Sequence, residues 1–296
     1  MNPFKIPFLL FIFLFATFSA AAQKEKRSKD FTEVVKKRFS QIKIRDISGR
    51  DTKKLRLEDV CPVEKNLVAK RVFAEYGAVF VGADSVTFPA KCVFETESEV
   101  QIFQSGLGTK VANLNGVTIE LQSAAMDALF KARKEAEEKN LRIVPRGGTS
   151  AGKRSYADTS RIWKSRFDPA LIYWGKKGKI SAADAEKARE MTTQKQVEQV
   201  IEWESRGYFF ATDFSRTIFS SVAAPGTSQH LSGLALDVAQ FSNSAVRVIL
   251  NKHGWYQTVA NDTPHFTFLG LSEDELPERG LKLLELNGYK FWVPNI

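Results

Sequence analysis

Two of the three histidines in the chain lie close to a carboxylate in the sequence. Six residues separate His230 from Asp237, and two residues separate Asp262 from His265. Neutral imidazole and carboxylate are good zinc ligands, and a set of three protein ligands leaves the open fourth position of a catalytic zinc site. This pattern predicts that His230, Asp237 and His265 bind a catalytic metal ion.

The residues around His230 make the pattern more specific. From Ser228 to Asp237 the chain reads Ser-x-His-x-x-Gly-x-Ala-x-Asp, and Asp-x-x-His follows later. On average composition, chance agreement with the first motif at a given position is below about one in a hundred thousand. The two motifs resemble those of the zinc D-Ala-D-Ala peptidases of the VanX and VanY type, the related phage L-alanyl-D-glutamate endopeptidases and the hedgehog-type metal site.

This resemblance implies that His230, Asp237 and His265 bind zinc and that Asp262 is the general base. Many carboxypeptidase members have Glu at the general-base position, whereas Asp-Thr-Pro-His-Phe is more similar to the phage endopeptidases. Either carboxylate can accept a proton from the attacking water. A Gly-Tyr-Arg-Ser segment of the family is matched here by Gly-Lys-Arg-Ser, which makes Arg154 the candidate for stabilising the oxyanion.

Two further side chains near these motifs have predicted roles. The hydroxyl of Ser228 is expected to support the ligands through a hydrogen bond. His253 lies outside both motifs at the end of a predicted helix, where a donor side chain interacts with free carbonyls. We therefore do not expect His253 to bind the metal.

Hydrophobic periodicity and turn residues predict the elements that must position these groups. Helices are expected at 64–76, ended by Gly77, from 118 to the residue before Asn140, and from the Ser181 N-cap toward residue 207. A further helix is expected at 244–252, stopped at His253-Gly254 by a left-handed glycine cap. Short strands are expected at 78–81, 86–88, 92–94, 141–144, 238–239 and 265–268. Together they predict an α+β fold, in which a small antiparallel sheet flanked by helices carries the zinc site and a small disulfide-bearing α+β region precedes it.

Composition divides the chain into four predicted segments. Residues 1–22 have a positive start, an apolar run and a small-residue cleavage site, so they predict a signal peptide. The alternative is an uncleaved anchor, but the apolar run is shorter than the roughly 20 residues that span a bilayer. Residues 23–57 are rich in charge and predict a tether, 58–110 a small amino-terminal α+β region of unknown role, and 111–296 the zinc peptidase domain.

The two cysteines and the net charge describe the expected environment. Cys61 and Cys92 are predicted to form a structural disulfide, since exported proteins meet an oxidising compartment, and no nearby histidine favours metal binding by this pair. We therefore expect the protein in the periplasm or outside the cell. Its formal net charge of +9 favours anionic surfaces, although excess Lys and Arg can also serve solubility alone. No nucleic-acid-binding motif accompanies the charge.

The substrate expected from the resemblance is the stem peptide of peptidoglycan, cut at its terminal D-Ala-D-Ala or at an internal bond. Two alternatives stay open at this stage. One is a zinc peptidase that acts on ordinary peptides, and the other is a non-catalytic, zinc-stabilised protein that binds the cell wall. The sequence leaves open the bond cleaved, the role of residues 23–110 and the oligomeric state.

Overall fold

The computed structural model describes residues 27–45 and 51–296. The predicted signal peptide, residues 1–22, lies outside the described residues. The helices are α1 Phe31–Ser40, α2 Leu57–Val60, α3 Leu67–Tyr76, α4 Glu97–Ser105, α5 Ser123–Glu138, α6 Tyr156–Lys176, α7 Ala182–Glu190, α8 Thr193–Ser205 and α9 Ser244–Lys252. The strands are β1 Lys43–Arg45, β2 Asp51–Lys54, β3 Thr109–Leu114, β4 Val117–Gln122, β5 Ala235–Asp237, β6 Trp255–Tyr256, β7 His265–Phe268, β8 Leu281–Leu286 and β9 Tyr289–Pro294. Among the described residues, no helix is both long and apolar enough to cross a membrane.

A small antiparallel sheet of three strands, in the order β5-β7-β6, brings the two motifs together. Asp237 of β5 is paired directly with His265 of β7. Side chains alternate between the two faces of a strand. Phe266 and Phe268 pack into an apolar cluster with α5 and α9, so His265 and Thr267 face the opposite side of the sheet. The α+β fold class is confirmed, with helices flanking small antiparallel sheets.

A second apolar cluster joins the amino-terminal residues to the rest of the chain. It contains Phe31, Phe73, Trp163, Tyr256 and Trp292, among other buried side chains. The parts of the chain before and after residue 110 therefore share buried apolar contacts. The division of the chain at that residue stays a prediction.

Part of the charged segment that predicts a tether is helical. Helix α1 begins after Asp30, whose carboxylate accepts a hydrogen bond from the backbone amide of Glu33. Phe31, Val35 and Phe39 recur at the spacing of one helical face and are fully buried, while Glu33, Lys36 and Lys37 between them are exposed. Glu33, Lys36 and Lys37 therefore lie on the solvated face of a packed helix.

Residues 78–94 contain none of the three strands that the sequence predicts there. Gly77–Val81 instead form a 3-10 helix. Phe80 and Phe88 pack against Phe39 of α1, so the apolar run is buried by side chains rather than paired through its backbone. A short apolar run does not distinguish a strand from another buried segment, which explains the error.

The long helix predicted from residue 118 begins later than expected, at Ser123, because residues 117–122 form β4. Asn115 and Gly116, with φ of 56° and 84°, make the two-residue turn that joins β3 to β4. Asn-Gly between alternating strands is the strongest short-range hairpin signal. The residues of β4 therefore pair with β3 before α5 begins.

Several local predictions are confirmed. Helix α3 ends at Tyr76 with Gly77 as its C-cap, and the hydroxyl of Ser181 accepts a hydrogen bond from the amide of Asp184 at the start of α7. Helix α9 ends before Gly254, which has φ of 78°. Beyond these, Cys61 and Cys92 form the expected disulfide, with their Cα atoms 5.2 Å apart.

Two predictions next to the site differ from the structure. The strand predicted at 141–144 is not formed, and Pro145 makes an isolated bridge with Val238. Helix α6 was not predicted, although it starts with a capping box. The side chain of Ser155 accepts from the amide of Asp158, whose carboxylate accepts from the amide of Ser155. This reciprocal pattern is a helix-start signal that can be read from sequence.

Candidate metal centre

His230 lies in a short 3-10 turn, Gln229–Ser232, that leads into β5. The hydroxyl of Ser228 caps this turn by accepting a hydrogen bond of 3.3 Å from the backbone amide of His230. Gly233 ends the turn with φ of 66°, a left-handed conformation that suits glycine. Ser228 thus contacts the backbone of His230. Its support of the ligands stays a prediction.

Three predicted ligand atoms meet at one point. Nε2 of His230 lies 3.1 Å from Nδ1 of His265, and Oδ1 of Asp237 lies 3.4 Å and 3.5 Å from these two nitrogens. A tetrahedral ion with ligand bonds of about 2.0–2.1 Å needs donor atoms about 3.3 Å apart. The spacing and the chemistry of the donor set therefore fit a divalent metal ion.

The proton on each imidazole is fixed by the partner of its other nitrogen. Nδ1 of His230 lies 2.7 Å from the carbonyl oxygen of Gly152, which can only accept, so Nδ1 carries the proton. A residue larger than glycine would not fit at position 152, because its Cβ would lie 2.8 Å from the carbonyl oxygen of Glu120. Nε2 of His230 is therefore the nitrogen with a free lone pair, and it faces the centre.

The orientation of His265 depends on Gln229, a residue that the sequence did not single out. Oε1 of Gln229 lies 2.7 Å from Nε2 of His265, while its Nε2 donates to the carbonyl oxygen of Tyr76 at 2.9 Å. Nε2 of His265 therefore carries the proton, and Nδ1 is left to bind a metal. The one signal in the sequence is the position of Gln229, directly before a predicted ligand.

One carboxylate oxygen of Asp237 contacts a positively charged side chain, and the other faces the two imidazoles. Its Oδ2 accepts a hydrogen bond of 2.5 Å from the guanidinium of Arg154, whose Nε donates to the carbonyl of Ser150 at 2.7 Å. Burial opposes ionisation, yet His230, His265 and Arg154 together hold the pKa of Asp237 well below its usual value. Arg154 therefore lies at the site, in contact with a predicted ligand. Its oxyanion role stays a prediction.

Burial also sets the charge of His230, which is 1% exposed. Desolvation, with a further contribution from the positive charge of Arg154, lowers the pKa of His230 to about 4. The imidazole is therefore neutral at physiological pH, which is the form that binds metal ions.

Asp262 lines the same cleft, and its pKa is shifted upward, whereas that of Asp237 is shifted downward. Burial raises its pKa to about 6, the negative charge of Asp237 adds to the rise, and His265 and Arg154 oppose it. The backbone carbonyl of Asp262 accepts a hydrogen bond from the amide of His265, which fixes the turn before β7. A carboxylate with such a pKa is suited to exchange protons near neutral pH.

The cleft that contains these groups has a volume of about 250 Å³. Three arginines line it, namely Arg146, Arg154 and Arg166, and the sequence predicted only the second of them. The guanidinium of Arg146 also lies over the ring of Phe241, 5.1 Å from its centroid. Positive side chains along a cleft favour ligands with negative charge.

His253 contacts a carboxylate on another helix. Its Nε2 is 2.9 Å from a carboxylate oxygen of Glu135 on α5, and it does not belong to the group that fits a metal ion. Its side chain therefore joins α9 to α5.

Solved structures that are similar to this chain include two of VanY-type enzymes. One is the vancomycin-resistance D,D-pentapeptidase VanY of a VanB-type resistance cassette, a mutant in complex with Zn(II), with 17% identity and a TM-score of 0.32 over 56% of this chain and 82% of that chain. The other is VanYB in complex with D-alanine-D-alanine, with 16% identity and a TM-score of 0.35 over 58% and 83%. No family model and no curated protein sequence matches the chain. At these TM-scores, function has to be inferred from the site itself.

Proposed function

We propose that this protein is an exported zinc metallopeptidase that hydrolyses the stem peptides of peptidoglycan. The observation that carries the proposal is the convergence of two imidazole nitrogens and one carboxylate oxygen, 3.1–3.5 Å apart, in a cleft that also contains Asp262. The stem-peptide substrate is supported by the motifs around His230 and His265, which resemble those of the zinc D-Ala-D-Ala peptidases. Terminal and internal bonds are both compatible with the motifs.

Zinc suits this donor set of two neutral imidazoles and one carboxylate, which leaves a fourth position open. His230, Asp237 and His265 would hold it. When bound, zinc supplies Lewis acidity, which polarises a peptide carbonyl and makes water a better nucleophile near neutral pH. The remaining steps belong to side chains of the chain itself.

Asp262 acts as the general base and then as the general acid. Its carboxylate removes a proton from the attacking water as the new carbon–oxygen bond forms, and it returns the proton to the amine as the peptide carbon–nitrogen bond breaks. Arg154 keeps Asp237 ionised and oriented, and its guanidinium would also stabilise the negative charge that develops on the carbonyl oxygen. Both roles use groups that line the same cleft.

Export is supported by the disulfide and by the predicted signal peptide. Disulfides persist in oxidising environments such as the periplasm and the cell exterior, and they are rare in the cytosol. The Cys61–Cys92 disulfide therefore favours one of those two locations. An anionic cell wall also suits a protein of net charge +9.

Digestion of purified peptidoglycan, followed by mass spectrometry of the muropeptides, tests this function. We expect cleavage by the zinc-loaded wild type, with the lost mass identifying the bond, and no cleavage after the metal is removed by a chelator. Casein serves as the comparison substrate. Cleavage of casein and not of muropeptides would indicate a peptidase for ordinary peptides. Zinc binding without hydrolysis of either would indicate a wall-binding protein, which the ionisable Asp262 in the cleft disfavours.

A further inference from the structure

The side chain of Gln229 is buried among polar partners beside the metal centre. It is 2% exposed. Its Nε2 donates to the carbonyl oxygen of Tyr76 at 2.9 Å, and its Oε1 accepts from Thr267 Oγ1 at 2.5 Å and lies 2.7 Å from Nε2 of His265. Thr258 bridges the hydroxyl of Thr267 and the amide nitrogen of Gln229, at 2.7 Å and 3.3 Å. The amide is therefore anchored at both ends.

The carbonyl of Tyr76 decides which way the amide points. A backbone carbonyl only accepts hydrogen bonds, so the nitrogen of the Gln229 amide has to face it and the oxygen has to face His265. An amide oxygen also only accepts, so Nε2 of His265 has to donate. The direction of the amide therefore determines the tautomer of His265.

This tautomer is the one that metal binding requires. A proton on Nδ1 of His265 would point at His230 and Asp237 and would remove the lone pair that a metal ion needs. Partners that fix the tautomer of a metal-binding histidine typically change metal affinity by about 10- to 100-fold. Gln229 lies at a variable x position of the motif, so the motif alone gives it no role.

The group that orients Gln229 comes from the amino-terminal region. Tyr76 is the last residue of α3, and its hydroxyl donates to the carbonyl of Phe219 at 2.6 Å. Its helix belongs to the apolar cluster that also contains Trp163 and Tyr256. The carbonyl of Tyr76 is thus held in place both by packing and by a buried hydrogen bond.

We infer that Gln229 is a positioning residue that sets the tautomer of His265, and that α3 of the amino-terminal region completes the metal centre through the carbonyl of Tyr76. The inference rests on the metal-binding part of the proposed function. It gives residues 58–110, whose role the sequence leaves open, a task in forming the site. We call this chain of contacts from Tyr76 through Gln229 to His265 the amide relay.

The most direct test is the protonation of His265 in the metal-free wild type. Nitrogen-15 NMR distinguishes the two neutral tautomers, and the chain has only three histidines to assign. We expect His265 to carry its proton on Nε2. A proton on Nδ1 would overturn the inference, and this measurement needs no variant.

Variants at position 229 separate tautomer control from general support of the fold. Gln229→Met keeps the length of the side chain but cannot accept strongly from His265, so zinc affinity in chelator competition should fall by about 10- to 100-fold. Gln229→Glu still accepts from His265 and should keep affinity within a few-fold of wild type, although it faces the carbonyl of Tyr76 without a donor. Equal affinity in Gln229→Met and wild type, or equal losses in both variants, would contradict the relay.

Thr258→Val is the matched control, because Thr258 contacts Gln229 and Thr267 but not His265. It should lower the thermal stability of the metal-free protein while zinc affinity stays close to wild type. A loss of zinc affinity as large as that of Gln229→Met would assign the effect to packing and overturn the inference.

Hydrogen exchange tests the link to the amino-terminal region. Zinc binding to the full chain should slow amide exchange in α3 of the wild type, and it should do so less in Gln229→Met. Equal slowing in both would contradict the part assigned to Tyr76. These readouts are independent of hydrolysis. A zinc-binding wild type that cleaves no muropeptide would refute the proposed function and leave the relay standing.

Discussion

Two carboxylates in one cleft, Asp237 and Asp262, have opposite electrostatic environments. Asp237 contacts the guanidinium of Arg154 and faces two imidazoles, and its pKa is held well below the usual value. Burial instead raises the pKa of Asp262 to about 6. Two identical side chains whose surroundings move their pKa values apart are suited to different roles. The first suits a permanent anionic ligand, and the second suits a group that exchanges protons.

The largest effect should come from Asp262→Asn, which removes the proton acceptor and keeps the shape. Muropeptide hydrolysis should fall by about 100- to 10,000-fold, the usual contribution of general acid–base catalysis. Zinc affinity should stay near wild type, because Asp262 does not belong to the group that fits the metal. Rates should be measured with zinc-saturated protein. An unchanged rate would show that the two carboxylates do not divide the roles in this way.

The pH dependence of stability should have opposite signs at the two positions. The folded pKa of Asp262 lies above its unfolded value of about 3.9, so ionisation opposes folding increasingly as pH rises from about 4 through 6. In metal-free protein, Asp262→Asn should therefore raise the free energy of unfolding at pH 8, by at most about 3 kcal/mol, and should have little effect at pH 4.

The folded pKa of Asp237 is depressed, so its ionisation stabilises the fold above its unfolded pKa, and this stability is lost as pH falls through the folded pKa. Asp237→Asn should lower stability at pH 7 and matter less in strong acid. Denaturant titrations at several pH values measure both variants. If both variants changed the free energy of unfolding with the same pH dependence, the proposed difference between the pKa values of the two carboxylates would be refuted.

Arg154→Ala should remove the feature that most clearly separates Asp237 from Asp262. Without the guanidinium, Asp237 loses the partner of its Oδ2, and zinc affinity should fall by about 10- to 100-fold, as for other partners that orient metal ligands. Lys153→Ala removes a neighbouring positive charge that is paired with Glu120 instead, and it should leave zinc affinity unchanged. Chelator competition measures both. Similar losses in the two variants would point to net charge rather than to contact with Asp237.

The smallest effect should come from a carboxylate outside the cleft. Hydrogen bonds from Lys139, Lys252 and His253 lower the pKa of Glu135 to about 2, so its pKa is depressed as that of Asp237 is. Glu135→Gln should nevertheless leave zinc affinity and hydrolysis within error of wild type. That result would show that a low carboxylate pKa alone does not identify the metal ligand, whereas a clear loss of either would give Glu135 a role at the site and contradict the account.

The convergence of His230, Asp237 and His265 could be predicted because these side chains are chemically distinctive and two motifs contain them all. The antiparallel pairing of β5 with β7 then brings Asp237 and His265 together. The groups that orient the imidazoles could not be predicted, since His230 depends on the backbone carbonyl of Gly152 and His265 depends, through Gln229, on that of Tyr76. A backbone carbonyl has no signature in the sequence, and Tyr76 is remote from the motifs along the chain.

Local chemistry explains the fold predictions that succeeded and those that failed. Ser181 begins a helix through a hydrogen bond to its side chain, and Gly254 follows the end of a helix because glycine adopts a positive φ easily. Both predictions are confirmed. The Asn115-Gly116 turn and the Ser155 capping box of α6 are equally local signals, although hydrophobic periodicity alone does not reveal them. The apolar run at Gly77–Val81 carries none, because tertiary packing decides its conformation.

Anomalous diffraction at the zinc absorption edge, from crystals of the zinc-loaded protein, tests the central claim most directly. We predict one strong peak bounded by Nε2 of His230, Nδ1 of His265 and Oδ1 of Asp237, at about 2.0–2.2 Å from each. A fully loaded protein whose zinc peak lies elsewhere, or whose three side chains point away from the ion, would contradict the account.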